Sequence, residues 1–292
     1  MKKLSVKLLF FLLCLIIVIV FSGQAINGES DSPDRPKVAL VLGGGAAWGL
    51  AHIGVLEVLE ENNIEVDIIS GTSAGAIVGA FHADGYSSSE LKNSISELRW
   101  RDFLSPSFNG PGIFNTDRME NHIDSLLETE KIEDLPVPFS VSTTDLDTGE
   151  ALSFDRGPLV KLISASAAVP IVFDPVEYDE YLLIDGGLVD NLPVQAARDL
   201  GADIIIAVDV NNNFSFTNRP EGTIEYGNRA YNILRKGQSR PENIDIYISP
   251  DLNNYRGFEF DEYESIIAQG RKSAEDKISE INELLHSKGL ID

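Results

Sequence analysis

The chain contains a single cysteine, Cys14, which lies inside an apolar run near its start. The sequence after that run has none, so no disulfide can staple it and its stability must come from a packed core. Basic residues are scarce too: 23 Lys and Arg stand against 46 Asp and Glu, a formal charge of −23. That deficit excludes nucleic acid as a partner, because phosphate backbones are bound through clustered cations. It also repels anionic headgroups at long range, a repulsion that salt screens. A saline habitat and a generic acidic surface both account for it. No internal repeat and no low-complexity tract appears.

There is one long apolar run, Leu8 to Phe21, preceded by Lys2, Lys3 and Lys7 and followed by Ser22-Gly23-Gln24-Ala25. The run is shorter than the about 20 residues of a membrane span, and small residues follow it, so residues 1–25 read as a secretory signal cleaved after Ala25. An uncleaved anchor starting at Leu4 is the other reading. In both cases the protein is expected to be exported, either secreted or held at the cell envelope. Cys14 sits within the run and not at its end, which argues against a lipid-modified cysteine. Residues 26–36 are polar and carry two prolines, the pattern of a linker. Residues 37–292 then form one domain, of a size that buries about 75% of the surface its unfolded chain exposes.

Within that domain, apolar runs of strand length alternate with helix-period segments. Val38 to Leu42 is followed by Leu50 to Leu59, and Val66 to Ile69 by Ala74 to Ala83. Further strands are expected at Phe139 to Thr143, Ala151 to Phe154, Tyr181 to Ile184, Ile204 to Val210 and Ile244 to Ile248. Surface helices are expected at Leu91 to Leu98 and Met119 to Leu127, and one long final helix from about Phe260 to His286. Strands apolar at successive positions and separated by helices imply an α/β fold, a mostly parallel sheet covered on both faces. The Pro/Gly-rich connection Pro106 to Gly112 reads as a mobile cap, and Asn211 to Gly222 as a long irregular loop.

Three segments carry chemistry. Gly71-Thr72-Ser73-Ala74-Gly75 lies between a strand and a helix, where small neighbours allow a sharp turn that presents the Ser73 hydroxyl as a nucleophile. Upstream, Gly43-Gly44-Gly45-Ala46-Ala47-Trp48-Gly49 joins the first strand to a helix, an anion cradle suited to an oxyanion or a phosphate. A dinucleotide site with Asp67 on the ribose is the rival reading, but Ala46 stands where the GxGxxG spacing needs glycine. Downstream, the apolar strand Tyr181 to Ile184 ends in Asp185-Gly186-Gly187, which is either a strand-end base or an ordinary Asp-Gly turn. None of the four histidines, His52, His82, His122 and His286, has the setting of a catalytic base. A Ser–Asp dyad therefore fits the chain better than a His-containing triad.

Taken together, these segments resemble the patatin-like phospholipase family, in particular its bacterial members. Ser164 to Pro170 with Phe173 and Pro175, and Asp190-Asn191-Leu192-Pro193-Val194, look like the family's blocks on either side of the aspartate. The resemblance runs in order through about residues 37–210. It implies a three-layer α/β/α domain and a lipid acyl hydrolase working at a membrane or micelle surface without metal or organic cofactor. Ser73 is then the nucleophile, Asp185 the base, Gly43, Gly44 and Gly45 the oxyanion hole, Gly71 and Gly75 the elbow, and Gly186 and Gly187 the dyad loop. Many bacterial members carry a basic residue where this chain has Trp48, so the handling of a phosphate headgroup is open. Carboxylesterase or neutral-lipid lipase activity and a non-catalytic lipid-binding role remain alternatives. Trp48 reads as an acyl-chain wall or as a core residue beneath the loop.

Overall fold

A computed structural model of the chain describes residues 35–96, 103–211, 219–220, 222–238, 240–255 and 262–291. The expected signal and most of the linker lie outside these residues, as does most of the stretch between Asn211 and Gly222. Pro36–Asp292 forms a compact unit. In chain order its elements are β1 (Val38–Leu42), a 3-10 turn (Ala46–Leu50), α1 (Ala51–Glu61), β2 (Ile68–Thr72), α2 (Ala74–Ala83) and α3 (Ser88–Ser96). Then come β3 (Ser105–Pro106), β4 (Phe114–Asn115), α4 (Asp117–Asp124), β5 (Phe139–Asp145), β6 (Ala151–Phe154), α5 (Leu159–Ser166) and β7 (Val176–Tyr178). The last group is β8 (Tyr181–Asp185), α6 (Val194–Asp199), β9 (Ile204–Val208), α7 (Thr223–Lys236), β10 (Ile246–Ile248), α8 (Tyr263–Glu275) and α9 (Ile278–Ser287).

Strand β1 shows why the fold has three layers. All five of its residues are buried, and successive side chains point to opposite faces of the sheet. Val38, Leu40 and Leu42 join the large cluster containing α1, α2 and α8, whereas Ala39 and Val41 join a smaller one with Val194 and Ala197 of α6. The sheet has eight strands in the order β10-β9-β1-β2-β5-β8-β7, with β6 paired to β5. The run from β10 to β5 is parallel, and β6, β8 and β7 join through antiparallel pairings.

One detail of register positions the site. Strand β5 outlasts its parallel partner β2, whose last residue Thr72 pairs with Ser142. Beyond that point the same edge of β5 is taken by antiparallel β8, whose last residue Asp185 pairs with Thr143. The ends of β2 and β8 therefore meet head-on, and residues 73 and 185 leave the sheet side by side.

The long final helix expected from Phe260 to His286 is instead two helices, α8 and α9, separated at Asp276–Lys277. The connection Pro106 to Gly112 belongs to the β3–β4 hairpin and is tied at both ends to one carboxylate. Ser107 Oγ donates to Asp174 Oδ2 at 2.5 Å and the Gly112 N–H to Asp174 Oδ1 at 2.7 Å. It is an anchored hairpin, not a free cap.

Candidate active site

Ser73 sits between the last residue of β2 and the first of α2 with φ 53° and ψ −123°. A non-glycine residue held in that region costs about 1–3 kcal/mol, so the surroundings must fix it. They do so through the backbone. The Ser73 N–H donates to Ser166 Oγ at 2.7 Å, and Ser166 Oγ in turn donates to the Ser142 carbonyl at 2.5 Å. The turn also needs glycine at 75, since a Cβ there would fall on the Leu42 carbonyl at the end of β1.

Strand-end pairing brings the two predicted residues together. Ser73 Oγ donates to Asp185 Oδ2 at 2.7 Å, with Ser73 4% and Asp185 1% exposed. The other carboxylate oxygen, Oδ1, accepts the Gly187 N–H and the Tyr231 hydroxyl, each at 2.8 Å. Burial pushes the Asp185 carboxyl above the usual carboxylate range. The Arg235 guanidinium nearby and the hydrogen bonds from Ser73, Gly187 and Tyr231 pull in the opposite direction. Tyr231 is itself held protonated far above the ordinary phenol range, by burial first and the Asp185 charge second, so it acts as a fixed donor.

The glycine loop crosses directly over this pair. A Cβ on Gly44 would come within 2.8 Å of Ser73 Cβ, so only glycine lets the loop lie so close. The three loop glycines have different roles. The Gly43 N–H donates to the Val208 carbonyl at 3.0 Å, extending the β1–β9 ladder, so Gly43 is a spacer and not the oxyanion donor expected of it. The Gly44 N–H donates to Asn191 Oδ1 at 3.1 Å. Arg235 donates both to that same Asn191 oxygen and to the Gly44 carbonyl, which fixes the Gly44–Gly45 peptide plane.

The remaining sequence candidates have structural roles. His52 is fully buried with Nε2 2.7 Å from the Gly43 carbonyl, and burial lowers its pKa to about 4, so it supports the loop as a neutral ring. Trp48 is 8% exposed and donates Nε1–H to the Tyr255 carbonyl at 3.0 Å, the core reading of the two. Asp67 accepts the Val38 N–H at 2.8 Å at the start of β1, the opposite end of the sheet from the glycine loop, which removes the nucleotide reading. Sequence reasoning missed Tyr231 and Arg235. Their only signal is an i, i+4 pair on a helix whose apolar residues lie elsewhere.

Fold and site define a class: three-layer α/β proteins that present a strained serine on a strand-to-helix turn beside a buried carboxylate. The particular family follows from comparison. A model described as "Patatin-like phospholipase" matches residues 40–198, and the chain belongs to that family. An uncharacterised NTE family protein of Mycobacterium tuberculosis is 38% identical over 199 residues, 66% of this chain and 55% of that one. Human patatin-like phospholipase domain-containing protein 6 is 36% identical over 185 residues, 60% of this chain and 13% of its own length. The chain thus spans about half the length of the mycobacterial relative and far less of the human one. VipD from Legionella pneumophila shares the fold, with a TM-score of 0.61 at 15% identity, over 84% of this chain and 66% of VipD.

Proposed function

We propose that this protein is a lipid acyl hydrolase of phospholipase or lysophospholipase type, cleaving carboxylic esters through an acyl-enzyme on Ser73. The observation that carries this reading is the 2.7 Å hydrogen bond from Ser73 Oγ to Asp185 Oδ2 at the start of α2. In the proposed cycle Oγ attacks the ester carbonyl while its proton passes to Asp185. The tetrahedral intermediate collapses, the carbon–oxygen bond to the alcohol breaks, and Asp185 returns the proton to the leaving alkoxide. Water then attacks the acyl-serine, giving its proton to Asp185, and Ser73 regains a proton as the fatty acid leaves. A carboxylate can serve as this base because burial raises its proton affinity towards the working range.

The developing oxyanion faces the loop peptides of Gly44 and Gly45 and the first turn of α2, whose dipole favours negative charge. The incoming carbonyl oxygen competes with Asn191 Oδ1 for the Gly44 N–H. Arg235 supplies a cation beside the loop from α7, so the presence of Trp48 does not leave the site without one. The test is fatty-acid release from phospholipids, lysophospholipids and neutral esters. Ser73→Ala and Asp185→Asn should each lower release by about 10⁴-fold or more. Undiminished release from Ser73→Ala would overturn the assignment.

A further inference from the structure

Helix α7 is built inside out. Its inward residues are Gly227, Tyr231, Asn232 and Arg235, all buried, and two of them contact the dyad or the glycine loop. Its outward residues are Tyr226, Ala230, Ile233 and Leu234, at i, i+4, i+7 and i+8, a single stripe along the helix. Tyr226 is 67% exposed, Ile233 54% and Leu234 63%. A soluble amphipathic helix has the reverse arrangement, so the stripe calls for a partner.

Neighbouring elements extend the apolar face. Ile171, half exposed, lies against Gly227, where a Cβ would stand 3.2 Å from Ile171 Cδ1. Val189, also exposed, follows the Gly186–Leu188 turn, and Gln238 just beyond α7 donates to the Gly187 and Leu188 carbonyls at 3.0 and 2.6 Å. The helix is thus joined by side-chain hydrogen bonds to Asp185, to the dyad loop and to the glycine loop. Local charge differs from that of the whole molecule. By sequence, Thr223 to Arg240 holds Arg229, Lys236 and Arg240, besides the buried Arg235, against Glu225 alone, in a chain with twice as many acids as bases.

We propose that the outward face of α7, with Ile171 and Val189, docks on a phospholipid surface, seating the site against the aggregate that supplies its substrate. The proposal rests on the lipid hydrolase reading. Two features select a lipid surface over a second copy of the chain: an exposed apolar stripe in a segment whose sequence is basic suits acyl chains beneath phosphate headgroups, and two copies of charge −23 repel. The same helix that meets the lipid also holds Tyr231 and Arg235 in place, so docking and dyad geometry share one rigid element.

The test uses residues 36–292, which contain the whole sheet and its core, so that the apolar N-terminal run does not enter the measurement. Ser73→Ala protein is co-sedimented with phosphatidylcholine vesicles at high salt, with and without Ile233→Ser and Leu234→Ser. Each substitution should weaken vesicle binding about tenfold, the partition factor of one large aliphatic side chain. With Ser73 intact, the same two substitutions should leave hydrolysis of a soluble short-chain ester unchanged and slow hydrolysis of vesicle lipid by a similar factor. Equal vesicle binding by parent and variant would overturn the proposal, as would equal loss on soluble and vesicle substrates. A parent dimer in light scattering that the substitutions split would overturn it in favour of a second copy. If the parent hydrolysed no ester at all, the hydrolase reading would fall, while the sedimentation of the Ser73→Ala pair would still decide the docking surface.

Discussion

Replacing Tyr231 by Phe removes the hydrogen bond that its hydroxyl donates to the base. The tyrosine hydroxyl donates to Asp185 Oδ1 at 2.8 Å in a site where both residues are almost completely buried. The ring also lies 5.3 Å from the Arg235 guanidinium, a contact that phenylalanine keeps. Tyrosine stabilises the ionised carboxylate, so its removal must raise the Asp185 pKa further. A hydrogen bond to a charged group contributes about 1.5–3 kcal/mol, and one pKa unit corresponds to about 1.4 kcal/mol. The expected rise is therefore about 1–2 units. Asp185 acts as a base only when ionised, so activity lies above its pKa and the acid limb of the kcat/KM profile should move up by that amount. The assay is the pH profile on a soluble short-chain ester, which avoids pH effects on vesicles. At high pH, where the carboxylate is ionised in both proteins, the rates should converge. An acid limb that stays in place in Tyr231→Phe would refute the reasoning, because it would mean that Asp185 does not titrate in the reaction or that Tyr231 does not reach it.

Gly44→Ala would bring a methyl group within 2.8 Å of Ser73 Cβ, and should cut kcat by about 10²–10³, the loss typical of one disturbed oxyanion donor. Circular dichroism should show the fold retained. Ser166→Ala removes the acceptor of the Ser73 N–H and leaves a buried donor unpaired, so unfolding in urea should reveal a loss of about 1–3 kcal/mol together with a fall in kcat. His52, with a pKa near 4 when folded and 6.5 when unfolded, binds its proton more tightly in the unfolded chain. Its contribution is complete above pH 6.5 and is lost as the pH falls towards 4, by up to about 3 kcal/mol. Asp185, raised by burial, has the opposite slope, so the measurement is the difference in pH dependence between the parent and His52→Gln, and equal slopes would refute it.

The parts of the site that the sequence made legible are those formed by contiguous residues. A strand, a glycine loop and a helix start lie next to one another in the chain, so Gly43 to Gly49 and Gly71 to Gly75 could be placed from local pattern alone. The boundary of β2 was less legible. It runs from Ile68 to Thr72 and not from Val66 to Ile69, because Ser70, Gly71 and Thr72 are buried without being apolar, Gly71 against α2 and Ser70 and Thr72 on the opposite face, which Ile68 shares with α6. What local pattern does not contain is the register by which β8 takes over the edge of β5 where β2 stops. That handover brings Asp185 to Ser73 across 112 positions of sequence, and only the family resemblance suggested it. Helix α7 was hidden for a different reason. A sequence reader assigns the apolar stripe of a helix to the core, and in α7 that rule would bury Tyr226, Ile233 and Leu234 and turn Tyr231 and Arg235 to solvent. The fold does the reverse, because the space beneath α7 is occupied by a buried carboxylate and by loop carbonyls that need donors. The polarity of the site thus dictates the orientation of the helix, and the apolar stripe left outside is a consequence of having a buried base beneath it.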